Sequence, residues 1–277
     1  MTAADGYEER LARLLERLRS LDRVAVAYSG GVDSSALLHA ARSVLGDGAV
    51  GVIADSPSLP RRELAEARDT AARIGAELAV IGTDEMEDEG YRANRGDRCY
   101  FCKTALFRAM EPWARSRGFR ALAFGEILDD LQDDRPGARA AREFGVVAPL
   151  SESGFTKEDV RRYAREAGLS VAEKPASACL ASRIAVGTRV TRENLERVER
   201  SEELVRGLGL RQVRVRDRGD RARVEVGEEE LDRARERLGE IRDGLRAEGY
   251  TTIELAAYSS PWRRGNVPVQ DRASGSR

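Results

Sequence analysis

Short apolar runs alternate with segments of helical periodicity through about residue 170, and that alternation narrows the possible architectures more than any other feature of the chain. Residues 24–27, 49–54, 78–81 and 121–124 are too short for helices and are bounded by turn residues, so each is expected to be a buried strand. Between them, Leu11, Leu14, Leu15, Leu18 and Leu21 recur at three- and four-residue spacing, which predicts a helix over 7–21. Helices are likewise expected over 33–45, 60–74, 104–117 and 157–167, and Val146-Val147 is expected to begin a short fifth strand. Strands alternating with helices make βαβ units and a parallel sheet, and right-handed crossovers make that sheet a doubly wound, Rossmann-like layer. In such a layer the ligand sits at the carboxyl ends of the strands.

The pattern changes after Glu173. Residues 174–190 form a long connection, 191–208 a charged helix, 212–216 and 222–226 two strands about Gly219, 228–245 a helical stretch with an interruption, and 252–256 a last strand. The expected architecture is therefore α/β: a Rossmann-like domain over 1–188, a smaller α+β domain over 189–260, and a polar tail, 261–277, expected to be disordered.

Composition excludes several functions. Lys and Arg number 47 against 48 Asp and Glu, a net charge of −1, so the chain lacks a uniformly basic coat and a nucleic-acid partner is not expected. No apolar run is long enough to span a membrane, and the first ten residues are acidic without an apolar core, so a cytoplasmic protein without membrane contact is expected. One histidine, His39, rules out multi-histidine metal or acid–base sites. Positive charge is almost all arginine; the lysines are Lys103, Lys157 and Lys174.

The sharpest local motif is Ser29-Gly30-Gly31-Val32-Asp33-Ser34-Ser35, between the first strand and the next helix. Its glycines allow unusual backbone angles and close approach, the helix start offers free N–H groups, and Ser29, Ser34 and Ser35 add hydroxyls. This is a phosphate-binding arrangement, in which Asp33 would cap the helix or hold Mg2+. A Walker A string is absent, and the Gly-x-Gly-x-x-Gly at Gly46, Gly48 and Gly51 leads from a helix into a strand, the reverse of the order dinucleotide binding needs. The seven-residue string resembles the pyrophosphatase loop (PP-loop) of ATP-dependent adenylating enzymes. The resemblance implies cleavage of ATP between its α- and β-phosphates and transfer of AMP to a substrate oxygen.

Cys99 and Cys102 form a Cys-x-x-Cys ahead of a helix, and Cys179 follows much later. By themselves three thiols suit an iron–sulfur cluster with one open iron, a single catalytic cysteine, or a structural role. Three strings follow the PP-loop in order: 94–103 around the Cys-x-x-Cys, Asp129 to Gly137, and Lys174 to Ile184, which contains Cys179-Leu-Ala-Ser-Arg183. From about residue 10 to about residue 258 the pattern resembles the LarE family of PP-loop sulfur transferases. That resemblance implies an ATP-dependent enzyme of nickel-pincer nucleotide synthesis, which adenylates a carboxylate of pyridinium-3,5-biscarboxylic acid mononucleotide and exchanges AMP for sulfur. It implies that Cys99, Cys102 and Cys179 hold a 4Fe-4S cluster, with Cys179 also catalytic alongside Asp33; in other members the matching cysteine is sacrificed for its sulfur. Asp55, Ser56, Gly125, Asp129, Ser182 and Arg183 are expected nucleotide or Mg2+ contacts, and Arg214 and Arg216, on one face of a strand, expected clamps for the substrate phosphate. Glu202, Glu203, Glu225 and Glu230 are further candidate metal carboxylates, and a homo-oligomer is expected. The end of the chain from Tyr258 to Gly265 departs from the family pattern. The rival expectations are a three-cysteine PP-loop tRNA thiolase and a non-enzymatic nucleotide sensor.

Overall fold

The computed structural model of the chain describes residues 3–132, 136–175 and 177–258. Two compact units divide between Glu196 and Arg197. In the first, helix α1 (Ala3–Arg19) leads into β1 (Val24–Ala27), α2 (Val32–Leu45), β2 (Ala49–Asp55), α3 (Arg61–Ile74) and β3 (Glu77–Gly82). Then come α4 (Glu89–Ala93), α5 (Arg98–Ser116), β4 (Ala121–Phe124), α6 (Pro136–Glu143), α7 (Pro149–Glu152) and α8 (Lys157–Glu166). The four strands pair in parallel in the order β3-β2-β1-β4, with Val24 opposite both Ala49 and Ala121. The order reverses between β1 and β4, which makes the carboxyl ends of those two strands the natural ligand crevice.

Strand β1 explains why its sequence is apolar throughout. Val24 and Val26 join the core made with Leu14 and Leu18 of α1, Leu37 of α2 and Ala164 of α8. Ala25 and Ala27 join the opposite core, made with Phe107 and Met110 of α5 and Ala140 of α6. A strand covered on both faces has no polar alternation left to show. The fifth strand expected at Val146-Val147 is reduced to one parallel bridge, Ala123 to Val147. Pro149 opens α7 two residues later, and proline cannot donate to a ladder.

Helix α9 (Arg192–Gly207) begins in the first unit and ends in the second. The second unit contains β5 (Val213–Asp217), β6 (Arg221–Val226), α10 (Leu231–Glu236), α11 (Leu238–Ala247) and β7 (Thr252–Ala257). Strands β5 and β6 form the expected hairpin, with Gly219 at φ +79° in its turn, and β7 adds in parallel to β6. Its core is Val205, Val215, Val224, Ile241, Leu245 and their neighbours. The fold is thus the expected α/β PP-loop domain with a small α+β unit. The expected tail over 261–277 lies outside the described residues. Among those residues no helix is long and apolar enough to cross a membrane.

Candidate active site

The phosphate loop occupies the end of β1. Gly30 has φ +71°, and a Cβ there would lie 2.8 Å from the Cβ of Ala67 on α3, so both conformation and space demand glycine. The serines tie the loop to itself: Ser34 Oγ donates to the Gly31 carbonyl at 3.2 Å, accepts from the Ser29 amide at 3.2 Å, and lies 3.0 Å from Ser29 Oγ. Ser35 is buried, its hydroxyl 3.2 Å from that of Tyr28. The first N–H groups of α2 have no intrahelical acceptor and supply the anion site.

Asp33 does not cap α2, because Gly31 stands at the cap position without a side chain. Its carboxylate instead takes the Lys157 ammonium through both oxygens, each at 2.7 Å. The Lys157 amide, at the start of α8, donates to Asp129 Oδ2 at 2.9 Å. Asp129 is thereby tied to the start of α8, while Lys157, read from sequence only as a helix start, is the cation placed at the phosphate loop. Gly125 is a packing glycine: a Cβ on it would lie 3.0 Å from the Ser34 amide nitrogen. Asp55 is ion-paired with Arg61, and Ser56 is buried with its hydroxyl 2.8 Å from that of Ser58, so the loop after β2 is braced internally.

Helix α5 begins at Arg98, earlier than expected, which puts Cys99 and Cys102 inside its first turns and on one face. The connection carrying Cys179 is fastened at two places. The Leu180 amide donates to the Ser58 carbonyl at 2.8 Å. Asn94, in the left-handed conformation (φ 51°) that asparagine tolerates, donates from Nδ2 to Ala185 O at 2.8 Å and to Thr188 O at 3.1 Å. Buried Arg183 folds back so that its guanidinium donates to the carbonyls of Ala178 at 2.6 Å and Cys179 at 3.1 Å, and to Ser182 Oγ at 3.1 Å. Arg183 and Ser182 thus shape the Cys179 loop. Asn94 is a site-building residue that sequence reasoning quoted but gave no role.

Cys179 lies near enough to Cys99 and Cys102 to act on both electrostatically. Burial raises Cys99, and Cys179 nearby raises it further. Burial, then Cys179, then Glu85 push Cys102 up to about 12. All three cysteines are free. Near Cys102 lies Glu85, 1% exposed, with both carboxylate oxygens lacking hydrogen-bond partners among the described residues. Tyr91 neighbours Cys179, Cys102 and Glu85. Among the described residues no group of three His, Cys, Asp or Glu side chains is placed to hold a metal ion. The thiols are donors of the kind iron–sulfur chemistry uses, and Cys179 raises both Cys99 and Cys102.

His39 is structural, its Nδ1 2.8 Å from the Tyr163 hydroxyl. The Gly46–Gly51 string spans a 3-10 turn and the start of β2, consistent with a chance match. In the second unit Arg214 and Arg216 share the face of β5 away from the core, as expected, but Arg216 Nε donates to Glu225 at 3.0 Å and the Arg214 guanidinium lies 4.3 Å from the Tyr258 ring centre. The candidate metal carboxylates there are engaged in the fold. Glu202 accepts from the Val215 amide at 3.1 Å, Glu203 pairs with Arg206 at 2.7 Å, and Glu230 accepts from the Arg211 and Gln212 amides, both at 2.9 Å. The segment after Tyr258 lies outside the described residues.

A parallel sheet with this serine–glycine loop at the end of its first strand defines a PP-loop, ATP-using domain. No family model matches the chain. It is 40% identical to an uncharacterised protein of Synechocystis over 91% of this chain and 96% of that protein. It is 35% identical to the pyridinium-3,5-bisthiocarboxylic acid mononucleotide synthase of Lactiplantibacillus plantarum, over 90% of this chain and 91% of that protein. A partial match, 33% identity over 53% of the chain, relates it to the argininosuccinate synthase of Haloarcula marismortui, which covers 38% of that enzyme. The chain belongs to the LarE family, that of the bisthiocarboxylic acid mononucleotide synthase, within the PP-loop superfamily.

Proposed function

We propose that this chain is an ATP-dependent sulfur transferase that converts a carboxylate of pyridinium-3,5-biscarboxylic acid mononucleotide into a thiocarboxylate. The reading is supported above all by the 35% identity to a synthase named for such a product, over 90% of this chain, and by a Cys179 loop that lies near Cys99 and Cys102. In the first step a carboxylate oxygen attacks the α-phosphorus of Mg2+-bound ATP. The bond to the β-phosphate oxygen breaks, pyrophosphate leaves into the Ser29–Ser35 loop, and an acyl-adenylate remains. Lys157 and the α2 amides offset the charge of the departing pyrophosphate. In the second step sulfur attacks the acyl carbon and AMP leaves with the carboxylate oxygen.

Two sources of sulfur fit the three thiols. A 4Fe-4S cluster would be held by Cys99, Cys102 and Cys179 and, when bound, would supply a labile sulfide at its open iron. Alternatively the Cys179 thiolate attacks the acyl carbon, AMP leaves, and removal of the Cys179 α-proton breaks its Cβ–S bond, releasing the thiocarboxylate and leaving dehydroalanine.

The test is anaerobic incubation with ATP, Mg2+ and the dicarboxylate mononucleotide. AMP release that depends on the mononucleotide, with a product carrying sulfur for oxygen, is expected; AMP release without that dependence would reject the substrate. Iron and acid-labile sulfide analysis, together with the mass of the Cys179 peptide after turnover, separates the sulfur sources. Full sulfur transfer by an iron-free Cys99→Ala protein would reject the cluster route.

A further inference from the structure

Arginine supplies 44 of the 47 basic residues, so the three lysines stand out as positions where a compact ammonium has been kept. Two are neutralised. Lys157 pairs with Asp33 at 2.7 Å, and Lys174 pairs with Glu63 at 2.7 Å and Glu66 at 2.9 Å. Lys103 differs. It is half-buried on α5, directly after Cys102, and no carboxylate lies within ion-pair distance of it among the described residues. Its ammonium lies 5.6 Å from the ring centre of Phe107 and 5.9 Å from that of Phe124, the last residue of β4. Its titratable neighbours are Cys102, Cys99 and Glu126. Glu126 follows Gly125, the residue packed against the Ser34 backbone of the phosphate loop. Lys103 therefore stands between the thiols and the loop, and a cation held there without an ion pair has an anion as its natural occupant.

We propose that Lys103 is the carboxylate-binding residue of the site: its ammonium holds the substrate carboxylate between the phosphate loop and the thiols. This rests on the sulfur-transfer reading above for the identity of the carboxylate, but not for its chemistry. The carboxylate must approach the α-phosphorus on one side and sulfur on the other, and the only described lysine without a carboxylate partner lies between those two positions. A charge held by two aromatic faces is poorly solvated, so its attraction for an anion is less screened than at an open surface. The same ammonium would then stabilise negative charge on the acyl oxygen during attack by sulfur.

The test uses small alkylating agents that differ in charge. Iodoacetate carries a carboxylate; iodoacetamide does not, and both report the same thiolate. The ratio of their rates at Cys99, the most accessible of the three cysteines, cancels any change in thiol ionisation. Lys103→Met is expected to lower the iodoacetate-to-iodoacetamide ratio about tenfold, with Lys103→Arg keeping most of it. A ratio within about twofold of the wild type would overturn the proposal, as would equal loss of both rates, which marks a residue that only activates the thiol. In substrate-dependent pyrophosphate–ATP exchange, Lys103→Met should raise KM for the mononucleotide about tenfold or more and leave KM for ATP unchanged. No exchange in the wild type would reject the mononucleotide as substrate while the alkylation ratio still decides the role of Lys103. If Lys103→Met does not fold by circular dichroism, Lys103→Gln takes its place in both measurements.

Discussion

The phosphate corner and the thiol corner of the first unit are built on opposite principles. At the loop, Ser29, Gly31 and Ser34 satisfy one another, Asp33 is neutralised by Lys157, and Gly30 fits a space no other residue fits. At the thiols, Glu85 is buried with both carboxylate oxygens unpartnered among the described residues, and Cys99 and Cys102 resist ionisation. A pre-organised loop costs little to occupy, since its donors are already aimed. Buried polar groups left unpaired cost stability, and sites that retain them are those that receive something: water, a substrate or a bound ion. The difference separates a self-satisfied phosphate loop from a thiol corner that keeps a buried carboxylate unpaired.

The largest expected effect comes from Gly30→Ala. The new methyl group would stand 2.8 Å from Ala67 Cβ at a positive φ. We expect ATP-dependent pyrophosphate release to fall by about 100-fold or more, with about 1–3 kcal/mol of stability lost to strain. Adding Ala67→Gly removes the contact but not the positive φ, so the double variant should recover only part of the stability. Full recovery of pyrophosphate release by the pair would show that crowding alone, and not backbone conformation, fixes the loop. Next in size is Lys157→Met, which leaves Asp33 negative beside the phosphates. KM for Mg-ATP should rise about tenfold, measured by initial rates, while stability changes by less than about 1 kcal/mol because the pair is partly exposed.

These two corners were unequally legible in the sequence. The loop is contiguous, so seven adjacent residues carried both its conformation and its chemistry. The sheet was legible for the same local reason, except where Pro149 cut the fifth strand to a bridge. The thiol corner is assembled from separate segments. The glutamates beside Cys102 could not be ranked from sequence, because Glu85 looks like any member of the acidic run 84–89 until burial singles it out. Asn94 fastens the Cys179 loop through its side-chain amide across 91 and 94 residues of sequence, which no periodicity reports. Lysine scarcity was visible, yet only the structure distinguishes the two paired lysines from Lys103.

Glu85→Gln tests the thiol side of the comparison. Burial, Cys179 and the Glu85 charge raise Cys102 to about 12, so removing that charge lowers it. Thiolate then forms at lower pH, and iodoacetamide should alkylate Cys102 several-fold faster at pH 8 to 9 by peptide mapping. The raised value also has a sign for stability. The folded state keeps its proton longer than the unfolded state, so this contribution is whole below the ordinary thiol range and is lost as pH climbs from about 9 to about 12. Tm of the metal-free protein should therefore fall less steeply over that window in Glu85→Gln than in the wild type. An unchanged Cys102 reactivity would show that Glu85 is screened from the thiol, and the contrast between the corners would weaken.

The smallest effect is expected at Thr156, which governs how Lys157 is presented. The Thr156 hydroxyl accepts from the Asp159 amide at 3.3 Å while Asp159 Oδ2 accepts from the Thr156 amide at 2.9 Å, a reciprocal cap at the start of α8. Burial alone would raise Asp159, but hydrogen bonds from Arg10 and Thr156 outweigh it and hold the carboxyl below its usual range. Its stabilising contribution is thus present above the ordinary aspartate range and is lost as pH falls through the lower folded value. Thr156→Ala should cost about 1 kcal/mol in urea denaturation and bring the acid transition to higher pH, since one of the bonds favouring the charged carboxylate is gone. Because the Lys157 amide keeps its separate bond to Asp129, KM for Mg-ATP should move by less than about twofold. A shift as large as that of Lys157→Met would mean that the phosphate corner depends on its helix cap for alignment, and is held together less by its own serines than by the helix packed beside it.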